Sequence, residues 1–274
     1  MITASIVLFK TKIDEIDRVI NCSINSSIDR IFIIDNSPTS DLYGEVIKHS
    51  SPKLLYIWGH GNIGYGAGHN IAIDRAVKLG AQYHIVLNPD IYFEKGTIEE
   101  LKRFMDEYPE AGLILPKVVY PNGELQYLCK LLPTPFDIIG RRLFPKSWGK
   151  KRKSRYEMHS TGYDKIRNCP ILSGCFMFMR MDVIKKVGSF DERFFMYFED
   201  YDLNRRIHQV SKTIYYPYIT IVHAHAAEHR TNNVLLKISI RSAILYFNKW
   251  GWIFDKERKH INQTAFDDDN VVEL

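Results

Sequence analysis

The stretch YHIVLNPD, from Tyr83 to Asp90, decides how this chain is expected to fold. Tyr83 to Leu87 is a short apolar run, which predicts a buried strand at the centre of a sheet. Pro89 cannot donate a hydrogen bond to a sheet, and it disfavours a helical conformation at the preceding Asn88. The strand is therefore predicted to stop at Asn88, with Asp90 just beyond its carboxyl end.

Asp90 is a candidate metal ligand because of this position. Open α/β sheets bind their ligands outside the carboxyl ends of the strands. A carboxylate placed there can hold a hard divalent cation such as Mg²⁺ or Mn²⁺, which in turn can hold a diphosphate. The alternative is an ordinary strand followed by an Asx-Pro turn, because a short motif is only a hypothesis.

The flanking sequence alternates between strands and helices. Apolar, β-branched runs predict strands at Ala4–Phe9, Arg30–Ile34, Leu54–Trp58 and Gly112–Leu115. Helices are predicted between them at Lys12–Ser26, at Leu42–His49, from a glycine-rich loop to Leu79, and at Thr97–Tyr108. This alternation predicts an α/β fold with a mostly parallel central sheet and helices on both faces.

The composition is that of a globular protein with one large domain or slightly more. Of the 274 residues, 45% are hydrophobic and 25% are charged, which suits a sizeable core, and the net charge is +5. The four cysteines lack zinc-type spacing and are predicted to be reduced thiols in a cytosolic protein. The N-terminus lacks the basic region of a signal peptide, and no apolar run reaches the length of a membrane span.

The loop GHGNIGYGAGHN, residues 59–70, is rich in glycine. Glycine permits positive φ and lets the backbone approach a ligand closely. The loop enters a helix whose first N–H groups suit an anion. Its spacing is not GxGxxG, and it follows the third strand instead of the first, which argues against a dinucleotide-binding dehydrogenase.

Asp35 follows the second predicted strand. An exposed carboxylate at this strand end could accept hydrogen bonds from a base or a ribose. An Asx-turn that caps the strand explains Asp35 equally well. The sequence at this point leaves both interpretations open.

The second half of the chain contains a basic segment. Val118–Leu128 is predicted to form a hairpin over its Pro-Asn-Gly turn, and Leu131–Tyr156 is predicted to be the least regular part. Within it, residues 141–155 carry eight Lys or Arg together with Phe144 and Trp148. The segment is either a solvated loop or a contact with an anionic membrane surface. Nucleic acid is not expected as a partner, because no nucleic-acid-binding signature accompanies the charge.

Further acids and histidines follow in the last third. Ile171–Arg180 is predicted to be one continuous strand, and Met181–Val187 a helix closed by glycine. Another helix is predicted from about Glu199, with Glu199 and Asp200 in a first turn that favours acids. Its second turn carries Asp202, Arg205 and Arg206. By itself, this pattern is most simply a helix start with a salt bridge.

Tyr215–Val222 is predicted to be a strand that leads to His223 and His225. Imidazole is a common ligand of divalent metals, so these residues and His229 are candidate ligands near Asp90. The helix Asn232–Trp250 is expected to pack on the domain, although it could also lie on a membrane. The acidic tail, residues 266–274, is expected to be frayed.

Four motifs occur in order: IIDNS at 33–37, NIGYGAGHN at 62–70, LNPD at 87–90 and FFMYFEDYDLNRR at 194–206. Together they resemble the family 2 glycosyltransferases, specifically the rhamnosyltransferase-like branch that acts on bacterial surface polysaccharides. The resemblance runs from about Ser5 to about Trp252. It implies a GT-A fold, with a nucleotide-sugar-binding half at 1–116, an acceptor-binding and catalytic half of the same domain at 117–252, and a tail at 253–274.

The resemblance also implies roles for individual residues. The residues implied to bind the nucleotide-sugar are Asp35, Asn62, Gly64, Asn70, Asn88 and Asp90. The metal motif of the family is usually Asp-x-Asp, but here it reads Asn88-Pro89-Asp90, so Asp90 is the implied ligand. His223 is implied to lie near the diphosphate. Within the Glu199–Asp200 pair, Asp200 is implied to be the general base.

The implied reaction is a sugar transfer with inversion. Asp200 deprotonates an acceptor hydroxyl, which attacks the anomeric carbon in a single displacement, while Mg²⁺ or Mn²⁺ neutralises the leaving diphosphate. The implied donor is dTDP-L-rhamnose, and the implied acceptor is a lipid-linked or growing surface glycan. The enzyme would be cytoplasmic or peripheral on the inner face of the cell membrane.

Two other classes of function are compatible with parts of the sequence. A nucleotidyltransferase would need a glycine-rich basic loop after the first strand, where the sequence reads FKTKIDE. A non-catalytic nucleotide-sugar-binding protein would not need a base such as Asp200. Release of free nucleoside diphosphate from a nucleotide-sugar separates all three.

Overall fold

The computed structural model describes residues 1–138, 146–224 and 233–272. Its strands are β1 (Ile2–Leu8), β2 (Arg30–Asp35), β3 (Leu54–Ile57), β4 (Tyr83–Leu87), β5 (Ile91–Phe93), β6 (Ala111–Val119), β7 (Cys129–Lys130), β8 (Arg167–Asn168), β9 (Ile171–Leu172), β10 (Phe176–Arg180) and β11 (Lys212–His223). Its helices are α1 (Ile13–Ile24), α2 (Tyr43–Ile47), α3 (Tyr65–Lys78), α4 (Thr97–Glu107), α5 (Pro135–Ile138), α6 (Lys146–Tyr156), α7 (Met181–Val187), α8 (Glu199–His208), α9 (Asn233–Trp250) and α10 (Lys256–Thr264).

Nine of these strands form one sheet. Their order is β3-β2-β1-β4-β10-β6-β11-β5, and β8 pairs with β11. The strands β1 to β4, β6 and β11 run in one direction, while β5, β8 and β10 run against their neighbours. The short strands β7 and β9 pair separately. This mostly parallel sheet, flanked by helices, confirms the predicted fold class.

The predicted central strand is confirmed as β4. All five of its residues are buried, as expected for a strand covered on both faces. Leu87 is aligned with Ile6 of β1 on one side and with Phe176 of β10 on the other. The Asn88 N–H donates to the Cys175 carbonyl at 2.9 Å, so Asp90 follows the end of the ladder at the carboxyl edge.

The residues directly after Asp90 form β5, which the sequence analysis did not predict. This short strand pairs with β11 in antiparallel fashion, and Ile91 is aligned with His223. The Ala224 N–H donates to the Asp90 carbonyl at 2.9 Å. β5 therefore brings the end of β11, with His223, next to Asp90.

The predicted continuous strand Ile171–Arg180 is wrong. β9 ends at Leu172 and β10 begins at Phe176, and the chain turns between them. In this turn the Gly174 N–H donates to the Asp200 carboxylate at 3.0 Å instead of joining a sheet. The break therefore lets the turn at Gly174 bind Asp200 in the first turn of α8.

Two regions are more ordered than expected. Residues 131–156 were expected to be irregular, but they contain α5 and the eleven-residue helix α6. The tail was expected to be frayed, but Val272 is buried and its N–H donates to the Ile166 carbonyl at 3.0 Å. The Pro-Asn-Gly turn is confirmed, because the Gly123 N–H donates to the Tyr120 carbonyl at 2.8 Å.

Helix α8 is fixed to α9 and α10 by buried charges. The carboxylate of Asp202 is fully buried and accepts hydrogen bonds from Arg206, Lys249 and Trp250. Arg205 is also buried and forms ion pairs with Asp255 at 2.8 Å and Glu257 at 2.7 Å. Such ion pairs fix the positions of the three helices, because separating or removing either partner would leave a buried charge without its counter-charge.

Helix α9 packs on the domain with its second half, as expected. Its buried residues Tyr246 and Phe247 contact Phe194 and Phe198 in the segment that precedes α8. Across the described residues, no helix combines the length and the apolar character that crossing a bilayer would require.

Candidate active site

Asp90 and His223 face each other at the carboxyl edge of the sheet. Asp90 Oδ1 lies 3.3 Å from His223 Nε2. Gln126 orients the ring, since its side-chain N–H donates to the His223 carbonyl at 2.8 Å and its Oε1 lies 3.0 Å from His223 Nδ1. Nδ1 therefore lies toward Gln126, and Nε2 is the ring nitrogen that lies toward Asp90.

This pair of acceptor atoms fits a divalent cation. A carboxylate oxygen suits Mg²⁺ and Mn²⁺, and imidazole is a common metal ligand. Within residues 1–138, 146–224 and 233–272, no group of three or more His, Cys, Asp or Glu could hold a metal ion. Ions such as Mg²⁺ often take only one or two carboxylates and complete their coordination with phosphates and water. The residues therefore fit an ion that binds together with a diphosphate.

Tyr65, the first residue of α3, connects the loop after β4 to the turn between β9 and β10. Its hydroxyl lies 2.9 Å from Asn88 Oδ1 and 2.8 Å from the Gly174 carbonyl oxygen. Burial raises the pKa of Tyr65, and the nearby carboxyls of Glu199 and Asp200 raise it further. The hydroxyl therefore stays a neutral donor that ties the two loops together.

The glycine-rich loop contacts the segment that leads into α8. Gly64 has φ +95°, and a Cβ at this position would lie 2.3 Å from the Phe195 carbonyl oxygen. The Tyr65 N–H donates to the same oxygen at 2.9 Å. Only glycine permits this close backbone approach, so Gly64 positions the chain before Glu199.

Asn70 and Asn62 lie in different surroundings. Asn70 is buried, and its side chain donates to the Phe190 carbonyl at 2.9 Å and accepts from the Phe190 N–H at 3.0 Å. Asn62 is exposed, and its Oδ1 accepts from the Gly64 N–H at 3.2 Å. Asn70 thus binds the chain before α8, whereas Asn62 remains open to a ligand.

The expectation that Asp35 carries an exposed carboxylate is wrong. Asp35 is fully buried. Its Oδ1 accepts from the Ser37 N–H at 2.8 Å, and its Oδ2 accepts from the Tyr56 hydroxyl. The first of these bonds is the Asx-turn that the sequence left open as the alternative.

An open cavity of about 890 Å³ lies beside this turn. It is lined by residues 10–14 after β1 and by residues 37–39 after β2, together with Asp17, Asp41 and Leu42. Glu15, on the adjoining turn of α1, has a pKa that is raised by burial and by the Asp90 carboxyl. Because β1 runs parallel to both β2 and β4, the cavity and Asp90 lie at the same carboxyl edge of the sheet.

Asp200 has hydrogen-bond donors on both of its carboxylate oxygens. Oδ2 accepts from the Gly174 N–H at 3.0 Å, and Oδ1 accepts from the Tyr201 N–H at 2.9 Å. Burial raises the pKa of Asp200, while the cation of Lys130 and these N–H groups act in the opposite direction. The pKa of Asp200 is raised overall, so the Lys130 cation and the two N–H groups offset only part of the cost of burying its charge.

Glu199 lies beside Asp200 in a different environment. It is 5% exposed, and its Oε2 has no hydrogen-bond partner within the described ranges. Burial raises the pKa of Glu199 well above the ordinary value, and the Asp200 carboxyl raises it further. Of the two acids, Asp200 is therefore the better candidate for a charged base.

Lys130 is the cation that lowers the pKa of Asp200. It ends β7, and its ammonium lies 5.1 Å from the centre of the Tyr201 ring. Burial lowers the pKa of Lys130, but Tyr201, Asp200 and Glu157 outweigh burial and raise it. Lys130 thus remains charged beside the acid pair.

Several predicted features fall outside the described residues. They are His225, His229, Phe144 and the two arginines at 141 and 142. In the described part of the basic segment, α6, the residues Lys150, Lys151 and Lys153 are exposed.

Four residues of this arrangement were missed in the sequence: Tyr65, Gln126, Lys130 and Gly174. Tyr65 lies within the recognised motif NIGYGAGHN, and Gly174 lies within the predicted strand Ile171–Arg180, so their surroundings gave a signal. Gln126 and Lys130 carry no local signal, because their partners at the site, His223 and Asp200, lie far along the chain.

Comparison with known proteins supports this interpretation. Two curated proteins share moderate similarity with the chain. The N-acetylglucosaminyl-diphospho-decaprenol L-rhamnosyltransferase of Mycobacterium tuberculosis is 24% identical over 227 residues, which cover 75% of this chain and 74% of that protein. The low-salt glycan biosynthesis hexosyltransferase Agl10 of Haloferax volcanii is 28% identical over 178 residues, which cover 64% and 52%.

Solved structures show the same fold at low identity. GalNAc-T7 with UDP, GalNAc and Mn²⁺ superposes with a TM-score of 0.63 at 14% identity, covering 90% of this chain and 49% of that chain. The mannosyltransferase PcManGT of Pyrobaculum calidifontis, with GDP-Man and Mn²⁺, gives 0.59 at 12% identity, covering 90% and 63%. This chain thus spans about half of the GalNAc-T7 chain. The GT-A fold is confirmed.

The glycosyl transferase family 2 model matches residues 6–188, which is more than half of the chain. The match begins within β1 and ends just after α7, so it includes the strand ends that carry Asp35 and Asp90 and the turn at Gly174. With this match, the chain is a glycosyltransferase that belongs to family 2.

Proposed function

We propose that this protein is an inverting, metal-dependent hexosyltransferase that moves L-rhamnose from dTDP-L-rhamnose to a lipid-linked or growing surface glycan. The observation that carries the proposal is the position of Asp200. Its carboxylate is held by the Gly174 N–H in a turn that Tyr65 joins to the loop of Asn88 and Asp90. A base and a diphosphate-binding edge thus adjoin each other.

The donor would lie along the carboxyl edge of the sheet. Its nucleoside end would occupy the cavity after β1 and β2, and its diphosphate would lie toward Asp90 and His223. A divalent cation held by those two residues would neutralise charge on the departing diphosphate. Asn62 would contact the nucleotide, while Asp35, Gly64, Asn70 and Asn88 would shape the loops around it. The Mn²⁺ in both GT-A structures supports the metal.

The transfer itself needs one base and no enzyme nucleophile. Asp200 would take the proton of an acceptor hydroxyl, and that oxygen would form a bond to the anomeric carbon from the face opposite the diphosphate. The bond between the anomeric carbon and the diphosphate oxygen would break, and its electron pair would leave with the nucleoside diphosphate. The sugar would therefore change its anomeric configuration.

The choice of donor and acceptor is supported by one relative. The mycobacterial relative is by name an L-rhamnosyltransferase that acts on a diphospho-decaprenol carrier. The test is incubation of the protein and Mn²⁺ with dTDP-L-rhamnose and a polyprenyl diphosphate N-acetylglucosamine acceptor. Release of dTDP together with a rhamnosylated lipid supports the proposal. Transfer from a different nucleotide-sugar would contradict dTDP-L-rhamnose as the donor. Nucleotide-sugar binding without any release of nucleoside diphosphate would contradict the proposal that the protein is an enzyme.

Contact with an anionic membrane surface is part of the proposal. Lys150, Lys151 and Lys153 of α6 are exposed, and Lys153 also lies 3.7 Å from the Glu157 carboxylate. Arg152 forms a closer ion pair with Asp137 at 2.6 Å and lies over the Phe136 ring. Basic residues near an anionic surface contribute about 1 kcal/mol each. Lys150, Lys151 and Lys153 are therefore the residues available for this contact.

Asp90→Ala is expected to weaken binding of nucleoside diphosphate in the presence of Mn²⁺, because it removes a ligand of the proposed ion. We expect a loss of at least about tenfold, in the range seen when groups that support a metal are removed. Titration calorimetry with and without Mn²⁺ measures it. Asp182→Ala, at an aspartate with an 86% exposed side chain on α7, is the matched control. Equal affinity of the Asp90 variant and the unaltered protein under both conditions would contradict the role of Asp90.

Lys130→Met is expected to move the acid limb of the pH profile of kcat/KM to higher pH. The base must be deprotonated, so activity falls as the pH drops through its pKa. The Lys130 cation lowers the pKa of Asp200, so its removal should shift the limb toward higher pH. Lys130→Arg should restore the profile, because the charge is kept. A Lys130→Met enzyme with lower activity but an unmoved limb would mean that Lys130 has only a structural role.

A further inference from the structure

The loop between α9 and α10 presents two large apolar side chains to solvent. Ile253 is 80% exposed and Phe254 is 93% exposed, and the preceding Trp252 is 37% exposed. Single exposed apolar residues are common on protein surfaces, but two consecutive ones this exposed are costly to keep. We call residues 252–254 the apolar tip.

Hydrogen bonds from a buried arginine hold the backbone of the apolar tip in place. Arg258 is 5% exposed, and its guanidinium donates to the carbonyls of Gly251, Trp252 and Ile253 at 3.0 to 3.3 Å. Gly251 has φ +100°, and a Cβ there would lie 2.7 Å from the Phe254 carbonyl oxygen. This buried cation and tight turn fix the loop so that Ile253 and Phe254 stay outside the core.

Side-chain contacts also anchor the base of the apolar tip. The Trp252 ring lies 5.2 Å from the Phe247 ring, and its indole N–H donates to Asn248 at 2.8 Å. Asp255, the residue after the tip, caps α10 and pairs with the buried Arg205. The residue after the tip therefore takes part in the same ion pairs that fix α8.

The surroundings of the apolar tip are basic. Lys256 and Lys259 are exposed in the first turn of α10, while the acid between them, Glu257, is engaged by Arg205. Helix α10 also contacts the basic helix α6, because Arg155 donates to the Asn262 carbonyl and lies over the Phe266 ring. The basic first turn of α10 therefore adjoins the tip, and α6 contacts the other end of α10, where the exposed Asp267, Asp268 and Asp269 follow.

We propose that the apolar tip inserts into the interface of an anionic lipid bilayer, next to lysines of α10 and α6 that contact the headgroups. Ile and Phe gain free energy on leaving water, and aromatic residues are favoured at the headgroup level. Stable but reversible anchoring generally takes two such signals, an apolar one and a basic one. A protein partner fits less well, because a specific protein interface buries about 800 Å² on each side and two side chains do not supply that area.

This inference deepens the proposed function, since a lipid-linked acceptor lies in a membrane. The test is co-sedimentation with vesicles of phosphatidylcholine alone or mixed with phosphatidylglycerol, at low salt and at about 1 M NaCl, where the Debye length falls to about 3 Å. It requires no sugar transfer. A failure here therefore leaves the glycosyltransferase assignment untouched, and an inactive enzyme can still be scored for binding.

The variant Ile253→Ser/Phe254→Ser is expected to lower the partition onto mixed vesicles by at least about tenfold at both salt concentrations, because it removes two buried apolar side chains. The variant Lys150→Ser/Lys151→Ser/Lys153→Ser should lose binding at low salt only. The control Val77→Ser/Leu79→Ser removes two exposed apolar side chains on α3 and after it and should bind like the unaltered protein. Thermal melting and nucleotide binding verify that each variant is folded.

Two results would overturn the proposal. The first is a tip variant that sediments with mixed vesicles like the unaltered protein. The second is a lipid-free change of molecular mass by light scattering in the tip variant, which would make the tip a contact between copies of this chain. A Phe254→Trp reporter adds a direct readout, since lipids brominated on their acyl chains should quench the emission that it adds to that of the native tryptophans. The emission added by a Leu79→Trp reporter should not be quenched.

Discussion

Asp200→Asn is expected to bind the donor with unchanged affinity and to lose sugar transfer by about 10²–10⁴-fold, the usual contribution of a general base. The carboxylate accepts from the Gly174 and Tyr201 N–H groups and faces the Lys130 cation. These contacts stabilise the charged form that a base requires. The amide has no charge and cannot take the acceptor proton.

The neighbouring acid supplies the matched comparison. Glu199→Gln makes the same replacement of a carboxylate oxygen by an NH₂ group in the adjacent acid. Glu199, however, is buried without a donor on Oε2, and its pKa is raised well above the ordinary value. We therefore expect a much smaller loss for Glu199→Gln. Single-turnover transfer with saturating donor, and donor binding by calorimetry, measure the two effects separately.

The opposite pattern would reassign the base. If Asp200→Asn transfers sugar normally while Glu199→Gln is inactive, Glu199 takes the proton and Asp200 only orders the turn at Gly174. One hydrogen bond to Asp200 is lost in the amide variant, because one N–H would face the new NH₂ group. Its melting temperature must therefore be measured beside its rate, so that a loss of folded protein is not mistaken for a loss of chemistry.

The parts of this molecule that depend on local pattern could be predicted from the sequence. The apolar run Tyr83–Leu87 and its Asn-Pro stop sufficed to predict β4, because a run buried on both faces has few other solutions in an alternating α/β chain. The helix start at Glu199 was likewise predictable, since its acids match the dipole of the first turn. Both features are determined within a few residues of where they occur.

The parts that depend on long-range pairing could not be predicted in the same way. β5 has only three residues, and its partner His223 lies more than 100 residues further along the chain. The break at Gly174 exists because α8 offers the Asp200 carboxylate to an N–H that would otherwise join a strand. Asp35 was expected at the surface, yet Tyr56 of β3 covers it. The residues on either side of these positions therefore do not indicate which distant residues will contact them.

The glycine-rich loop shows how one recognised motif can serve a partner that the sequence does not reveal. Glycines in such loops are usually explained by close approach to a phosphate. At Gly64 the close partner is instead the backbone of Phe195, four residues before Glu199. The left-handed Tyr197 and Phe198, both with φ +68°, follow directly. Strained backbone of this kind persists only where the surroundings enforce it, and the Gly64 contact is part of that enforcement.

Gly64→Ala is therefore expected to disrupt both the fold and the site. Alanine at φ +95° and ψ 175° costs about 1–3 kcal/mol. In addition, its Cβ would lie 2.3 Å from the Phe195 carbonyl oxygen and 3.0 Å from the Phe195 Cα. Because this clash is with backbone, no side chain can rotate away from it. We expect the free energy of unfolding to fall by more than about 3 kcal/mol, which is among the large effects of single substitutions.

Gly59→Ala separates the two causes of this loss. Gly59 has φ +99°, but nothing lies within 4 Å of the position its Cβ would take. It therefore carries the conformational cost without the clash. Urea unfolding gives the loss in free energy of unfolding for each variant. The difference between the two losses is the cost of the clash with Phe195. If Gly64→Ala proves as stable as Gly59→Ala and still transfers sugar, the segment before α8 is not held by this glycine. The order around Glu199 and Asp200 must then come from their other contacts, such as those of Asn70, Gly174 and Asp202.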